Sequence, residues 1–127
     1  MKKILVVADE IGERRISEQL GTTVDRILQE LGSDELGSVV KRSNYKNMEL
    51  NIRRNPDLYD SVILVMPPYR YVNLISFVRE HQKKAEVRVY ATPRFMANHK
   101  KEIEAAHAVS IEVYQPADII IDAAVEG

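Results

Sequence analysis

Mostly apolar runs of strand length alternate along this chain with segments in which apolar residues recur at helical spacing. Residues 4–8 form a wholly apolar run, and residues 61–66 and 87–91 form two more runs of similar length. A strand with no polar face is typical of a parallel sheet that is covered on both sides. The alternation of such strands with helices therefore predicts an α/β domain.

The pattern predicts five strands, at residues 4–8, 39–42, 61–66, 87–91 and 111–114. Apolar spacing predicts helices over residues 16–31, with a break near Gly21, and over 45–52, 72–84 and 95–108. In the helix over 72–84, Arg79 is expected to point outward. Residues 117–126 are predicted to form a short last helix, although the run Ile119-Ile120-Ile121 suits a strand as well.

The rule that parallel crossovers are right-handed restricts how five such strands can be ordered. The simplest order is 2-1-3-4-5, which is that of a flavodoxin-like three-layer sandwich. Ligands of such sheets bind beyond the carboxyl ends of strands one and three. Asp9, Glu10 and residues 66–68 are predicted to meet there, and all 127 residues are expected to form a single domain.

Composition excludes several classes of function. The chain has no cysteine, which excludes disulfides, thiolate catalysis and cysteine-based metal sites. The net charge of −1 offers no broad attraction to nucleic acid or to a membrane, so neither is expected as a partner. The apolar run at 4–8 is too short for a signal peptide or a membrane span, and we expect a complete cytoplasmic protein.

Several segments together resemble the response-regulator receiver (CheY-like) domain, in the same order and over most of the chain. Residues 4–10 are a strand that runs into two acids, and Asn55-Pro56-Asp57-Leu58 precedes the strand and proline of residues 61–67. Residues 87–92 end in a threonine, and residues 113–116 end in Gln-Pro, where Lys-Pro is usual in the family. The resemblance implies Mg²⁺-dependent phosphorylation of an aspartate at the end of the third strand.

The residues that this chemistry requires are missing. The acceptor position falls on Ile63, Leu64 or Val65, and no Asp or Glu occurs between residues 61 and 79. Gln115 replaces the family's lysine, and no Lys or Arg occurs from residue 102 to the end. An aliphatic side chain cannot be a nucleophile. The sequence therefore predicts a degenerate receiver, or pseudo-receiver, that is not competent for aspartyl phosphorylation.

Two groups of residues are candidates for binding. The candidates for a ligand in the crevice are Asp9, Glu10, Thr92, Arg94 and Gln115. Asp9 and Glu10 are weak candidates for a metal site, and the alternative is that they only favour the positive end of the first helix. The candidates for contact with a partner are Tyr69, Arg70, Tyr71, Ile119 and Ile120.

We therefore expect a non-catalytic, receiver-like signalling or scaffold module that binds another protein or pairs with itself, without a cofactor. The alternative is a small-molecule- or metal-binding protein, or an enzyme, of flavodoxin-like fold that uses the crevice at the ends of strands one and three.

Overall fold

The structure, a computed structural model, describes residues 2–31, 38–68 and 73–114. Within these residues the strands are β1 (Lys3–Val7), β2 (Val39–Ser43), β3 (Ser61–Val65), β4 (Glu86–Ala91) and β5 (Val109–Glu112). The helices are α1 (Glu10–Leu20), α2 (Val24–Glu30), α3 (Tyr45–Arg54), α4 (Leu74–His81), α5 (Pro93–Asn98) and α6 (Lys100–Ala105). The segment over 117–126, predicted as helix or strand, lies outside the described residues.

The five strands form one parallel sheet in the order β2-β1-β3-β4-β5. In this sheet Val7 pairs with Ser43 on one side and with Leu64 on the other, and Leu64 pairs with Val89. The carboxyl ends of the central strands therefore lie at the same edge. The predicted α/β class and strand order are confirmed, and both are consistent with a flavodoxin-like three-layer fold.

The sheet is packed on both faces, and each face has its own hydrophobic cluster. On one face, the side chains of Leu5, Val7 and Leu64 pack with α3, α4, α5 and α6. On the other face, Ile4 and Ile63 pack with α1 and α2. Because both faces of β1 and β3 are covered, these strands are apolar after their first residues, Lys3 and Ser61, which is why the sequence pattern identified them.

The predicted break in the first helix is confirmed at Gly21. Gly21 has a left-handed backbone conformation, with φ of 63°, and it ends α1. Thr23 then begins α2, because its side-chain oxygen accepts a hydrogen bond from the backbone N–H of Arg26. A glycine that tolerates positive φ and a capping threonine therefore divide one apolar repeat into two helices.

The prediction of one helix over residues 95–108 is wrong, because the chain forms α5 and α6 with a break at His99. Met96, Ile103 and Ala106 are buried as predicted, so the apolar spacing continues through the break and hides it. The fifth strand occupies 109–112, two residues earlier than predicted.

Arg79 does not point outward, contrary to the prediction. Its guanidinium donates hydrogen bonds to the backbone carbonyls of Ala106, Lys83 and Ala85, at 2.9, 3.0 and 2.7 Å. The apolar pattern of α4 could not reveal this, since two of the carbonyls lie just beyond the end of the helix and that of Ala106 is brought close only by the tertiary fold. In the described part of the chain, no helix combines the length and the apolar character needed to cross a membrane.

Candidate binding crevice

A cavity of about 330 Å³ lies at the edge of the sheet where β1, β3 and β4 end. The chain that leaves each of these strands contributes to its wall. The described residues that line it are Asp9, Ile11, Gly12, Arg15, Met66, Pro67, Pro68, Ala91, Thr92 and Phe95. Asp9 and residues 66–68 therefore come together at the position that the strand order predicts for a ligand crevice.

The wall between α1 and the end of β3 is tightly packed. A Cβ atom added at Gly12 would lie 3.3 Å from both the Cβ of Met66 and the backbone oxygen of Val65. Met66 has a left-handed backbone with φ of 50°, which is uncommon for a residue other than glycine, and its N–H donates to the carbonyl of Tyr90 at 2.6 Å. Glycine at position 12 thus allows α1 to pack directly against the residue that follows β3.

Asp9 occupies the N-cap position of α1, but its side chain makes no capping hydrogen bond. Among the described residues, its carboxylate has no ion-pair partner within 4.0 Å. Its negative charge lies near the positive end of the helix, as do Glu10 and Glu13 in the first turn. The alternative interpretation of Asp9 and Glu10, that they favour the positive end of the first helix, is therefore consistent with the structure, while Asp9 also lines the cavity.

Tyr45 lies beneath this region and is fully buried. Its hydroxyl donates a hydrogen bond to the backbone oxygen of Val65 at 2.8 Å. Burial raises the pKa of Tyr45 well above its ordinary value, and the negative charge of Asp9 raises it further. The phenol is therefore neutral at any physiological pH, and it links α3 to the end of β3.

Arg15 and Phe95 line the cavity, and sequence reasoning did not single them out. Arg15 lies one helical turn after Ile11, on the same side of α1, and it makes no ion pair within the described part of the chain. For Arg15 the sequence offered one indication, the glycine at position 12, because a glycine allows α1 to approach another element closely.

Of the predicted ligand-binding residues, Asp9 and Thr92 line the cavity. The hydroxyl oxygen of Thr92 accepts a hydrogen bond from the N–H of Phe95 at 3.2 Å and so caps α5. Glu10 and Arg94 are exposed and are not part of the cavity wall. The remaining candidates lie outside the described residues, and they are Gln115, Tyr69, Arg70, Tyr71, Ile119 and Ile120.

The described wall carries one carboxylate, one guanidinium and one hydroxyl over an otherwise apolar surface. Within residues 2–31, 38–68 and 73–114, no three His, Asp or Glu side chains are grouped so that they could hold a metal ion. The arrangement can hold polar or charged groups through Asp9 and Arg15, and apolar groups through Met66, Pro67 and Phe95.

No protein-family model matches this chain, and no curated protein sequence is significantly similar to it. The order and direction of the strands define the class of the protein, which is a parallel α/β fold of flavodoxin-like type. Because a fold of this type supports many activities, the function has to be argued from the crevice and its surroundings.

Proposed function

We propose that the protein is a non-catalytic, receiver-like module that acts through contacts with another protein and is not competent for aspartyl phosphorylation. The observation that carries this proposal is the end of β3. Ile63, Leu64 and Val65 occupy the positions at which a receiver places its acceptor aspartate, and all three are at most 1% exposed. Buried aliphatic side chains offer no nucleophile to a phosphoryl group.

The described wall of the crevice carries a single carboxylate, and this also favours a function other than phosphoryl transfer. Mg²⁺ requires several oxygen ligands in nearly octahedral geometry. Asp9 is the one carboxylate among the described residues that line the cavity, and the exposed side chain of Glu10 is not part of that wall. One carboxylate cannot supply the oxygen ligands that Mg²⁺ requires, so the described wall supports a binding role better than it supports Mg²⁺-dependent phosphoryl transfer.

The rim of the crevice is the surface that we assign to the partner. Ile11 is 61% exposed, and it lines the cavity together with the partly exposed Pro68 and the buried Pro67. Exposed apolar surface beside a concave site is a candidate for contact with a partner. Tyr69, Arg70 and Tyr71 follow Pro68 directly in the sequence, and the proposal includes them as contacts.

Self-association through Ile119 and Ile120, and a cytoplasmic location, remain predictions.

Site-specific photo-cross-linking tests this assignment. A photoreactive phenylalanine is placed in vivo at Ile11 or, as a control, at Leu50, which is 49% exposed on α3 and is not part of the cavity wall. We expect a discrete protein adduct from position 11 and none from position 50. The adduct partner is then purified, and its affinity is measured for the wild type, Ile11→Asp and Leu50→Asp.

We expect Ile11→Asp to weaken this affinity by about tenfold or more, since it places a charge in a desolvated apolar contact. Leu50→Asp should bind like the wild type. Equal affinities for the two variants would refute the assignment of the partner to the crevice rim. An intact-mass increase corresponding to one phosphoryl group, after incubation with Mg²⁺ and acetyl phosphate, would refute the exclusion of phosphorylation.

A second candidate function is the binding of a small polar molecule inside the crevice. The observation that favours it is the presence of one acid, Asp9, and one base, Arg15, in the wall of a cavity whose size falls in the lower range of ligand pockets. Amide NMR spectra recorded with pooled amino acids and other small zwitterions test this candidate. Saturable shifts near Met66 and Thr92 that disappear in Asp9→Asn and Arg15→Gln would support it, and shifts that persist in both variants would contradict it.

A further inference from the structure

The first turn of α4 is capped by a side chain from another helix. Asn73 precedes α4 with φ of 62°, and its own side chain makes no capping hydrogen bond. Instead, Oε1 of Glu102, on α6, accepts hydrogen bonds from the backbone N–H groups of Ile75 and Ser76 at 2.9 and 3.2 Å. The side chain of Glu102 is 10% exposed. Its carboxylate therefore satisfies N–H groups that would otherwise lack partners at the positive end of α4.

The other oxygen of the same carboxylate is held by His99. Nδ1 of His99 donates to Oε2 of Glu102 at 3.0 Å, and the imidazole is 14% exposed. The ring of His99 also stacks on the ring of Phe95, with a centroid separation of 4.2 Å and an interplanar angle of 23°. Because Glu102 uses both oxygens and His99 contacts both neighbours, neither side chain can move without changing a contact of the other.

Phe95 connects this pair to the crevice. Phe95 lines the cavity, and its backbone N–H donates a hydrogen bond to the hydroxyl oxygen of Thr92, another cavity residue. At the far end, Leu74 and Ser76 of α4 line a second groove, of about 490 Å³, between α3 and α4. A continuous series of direct contacts therefore joins the crevice to the groove between α3 and α4.

We propose that His99 and Glu102 couple the crevice to the first turn of α4, as positioning residues that pass a displacement of Phe95 on to Ile75 and Ser76. An occupant of the crevice that moves the ring of Phe95 then alters the shape of the groove between α3 and α4. The coupling is a property of the fold, so it goes beyond the proposed function and is testable without a ligand or a partner.

The test is a double-mutant cycle on the free protein, read by amide NMR and hydrogen exchange at Ile75 and Ser76. The variants are Phe95→Leu, Glu102→Gln and the combination of the two. The matched control is Glu104→Gln, since Glu104 is an exposed glutamate on the same helix. The amide of Leu64, in the buried strand β3, reports global unfolding and separates it from local opening at α4.

We expect Phe95→Leu to shift the Ile75 and Ser76 amides and to speed their exchange by about fivefold or more in the wild-type and Glu104→Gln backgrounds. In the Glu102→Gln background the added effect of Phe95→Leu on these two amides should be largely lost. If Phe95→Leu lowers the protection of Leu64 as well, Phe95→Tyr takes its place in the same cycle.

Two results would overturn the proposal. One is an effect of the Phe95 substitution on Ile75 and Ser76 that is equal in the wild-type and Glu102→Gln backgrounds, because the two changes would then be independent. The other is that the chemical shifts and exchange rates of the Ile75 and Ser76 amides do not change when Phe95 is replaced. His99→Gln, which leaves Phe95 and Glu102 in place, should also abolish the effect, and full retention of the effect in that background would remove His99 from the coupling.

Discussion

Tyr45 shows at the scale of one residue how the crevice is fixed to the core. Its ring is buried among the side chains that cover one face of the sheet, and its hydroxyl holds the carbonyl of Val65 at the end of β3. Burial, together with the nearby charge of Asp9, raises the pKa of its phenol. The residue therefore contributes stability as a neutral hydrogen-bond donor.

We predict that Tyr45→Phe lowers the free energy of unfolding by about 1 kcal/mol near neutral pH, since one buried hydrogen bond is lost. The unfolded tyrosine ionises at about pH 10, whereas the folded residue, with its raised pKa, keeps its proton. As the pH rises above that value, the wild type loses stability that the variant does not lose. Urea unfolding measures the free energies of unfolding of the wild type and Tyr45→Phe. Between about pH 7 and about pH 11, the advantage of the wild type should narrow and then reverse. A difference that is constant with pH would contradict this.

The sequence identified some crevice residues and missed others for a physical reason. Asp9 and Thr92 lie within two residues of the end of a strand, so the topology alone places them at the crevice. Arg15 and Phe95 lie within helices, and their contribution to the wall depends on how each helix is rotated against the sheet. That rotation is decided by tertiary packing, such as the close approach at Gly12, and no local pattern encodes it directly.

At the scale of elements, the junction between α1 and α2 depends on backbone conformation. A Cβ at Gly21 would meet no atom within 4 Å, so a substitution there acts through φ alone. We predict that Gly21→Ala lowers the free energy of unfolding by about 1 kcal/mol, the usual cost of the left-handed conformation for alanine. Gly21→Asn should lower the free energy of unfolding by less, because asparagine tolerates this conformation better than alanine does. Chemical unfolding measures both, and an alanine variant as stable as the wild type would contradict the prediction.

Arg79 provides the second prediction at this scale. Its guanidinium joins α4 to the backbone that follows α4 and to the end of α6. We predict that Arg79→Lys lowers the free energy of unfolding by about 1.5–3 kcal/mol, since an ammonium cannot reproduce the planar set of donors. The control is Arg53→Lys, whose exposed ion pair with Glu49 should contribute about 0–1 kcal/mol. If chemical unfolding shows that Arg79→Lys and Arg53→Lys lower the free energy of unfolding by similar amounts, Arg79 does not stabilise the fold in this way.

The elements differ in how far local sequence determines them. β1 and β3 were predictable because they are buried on both faces, and α3 because Tyr45, Met48 and Ile52 form its buried side. The break at His99 was not predictable, since it accompanies the stacking on Phe95 and the hydrogen bond to Glu102. These contacts depend on side-chain geometry that apolar spacing does not describe.

For the whole molecule, the strand order and the position of the crevice followed from two general rules. Right-handed crossovers favour the order 2-1-3-4-5, and the reversal of the strand order at β1 and β3 opens a crevice at their carboxyl ends. Function does not follow from such rules. It depends on which side chains occupy the ends of the strands, and here the last residues of β3 are the buried aliphatic Ile63, Leu64 and Val65.

The most direct measurement is an amide NMR spectrum of the labelled protein alone, with Mg²⁺, and with Mg²⁺ and beryllofluoride as a phosphoryl mimic. A working receiver binds the mimic at its acceptor carboxylate, and the amides around the crevice shift. Our proposal predicts no localised, saturable change at Asp9, Met66 or Thr92 in either condition. Saturable shifts at these three residues with Mg²⁺ and beryllofluoride would contradict it, because they would reveal a phosphoryl site in the crevice.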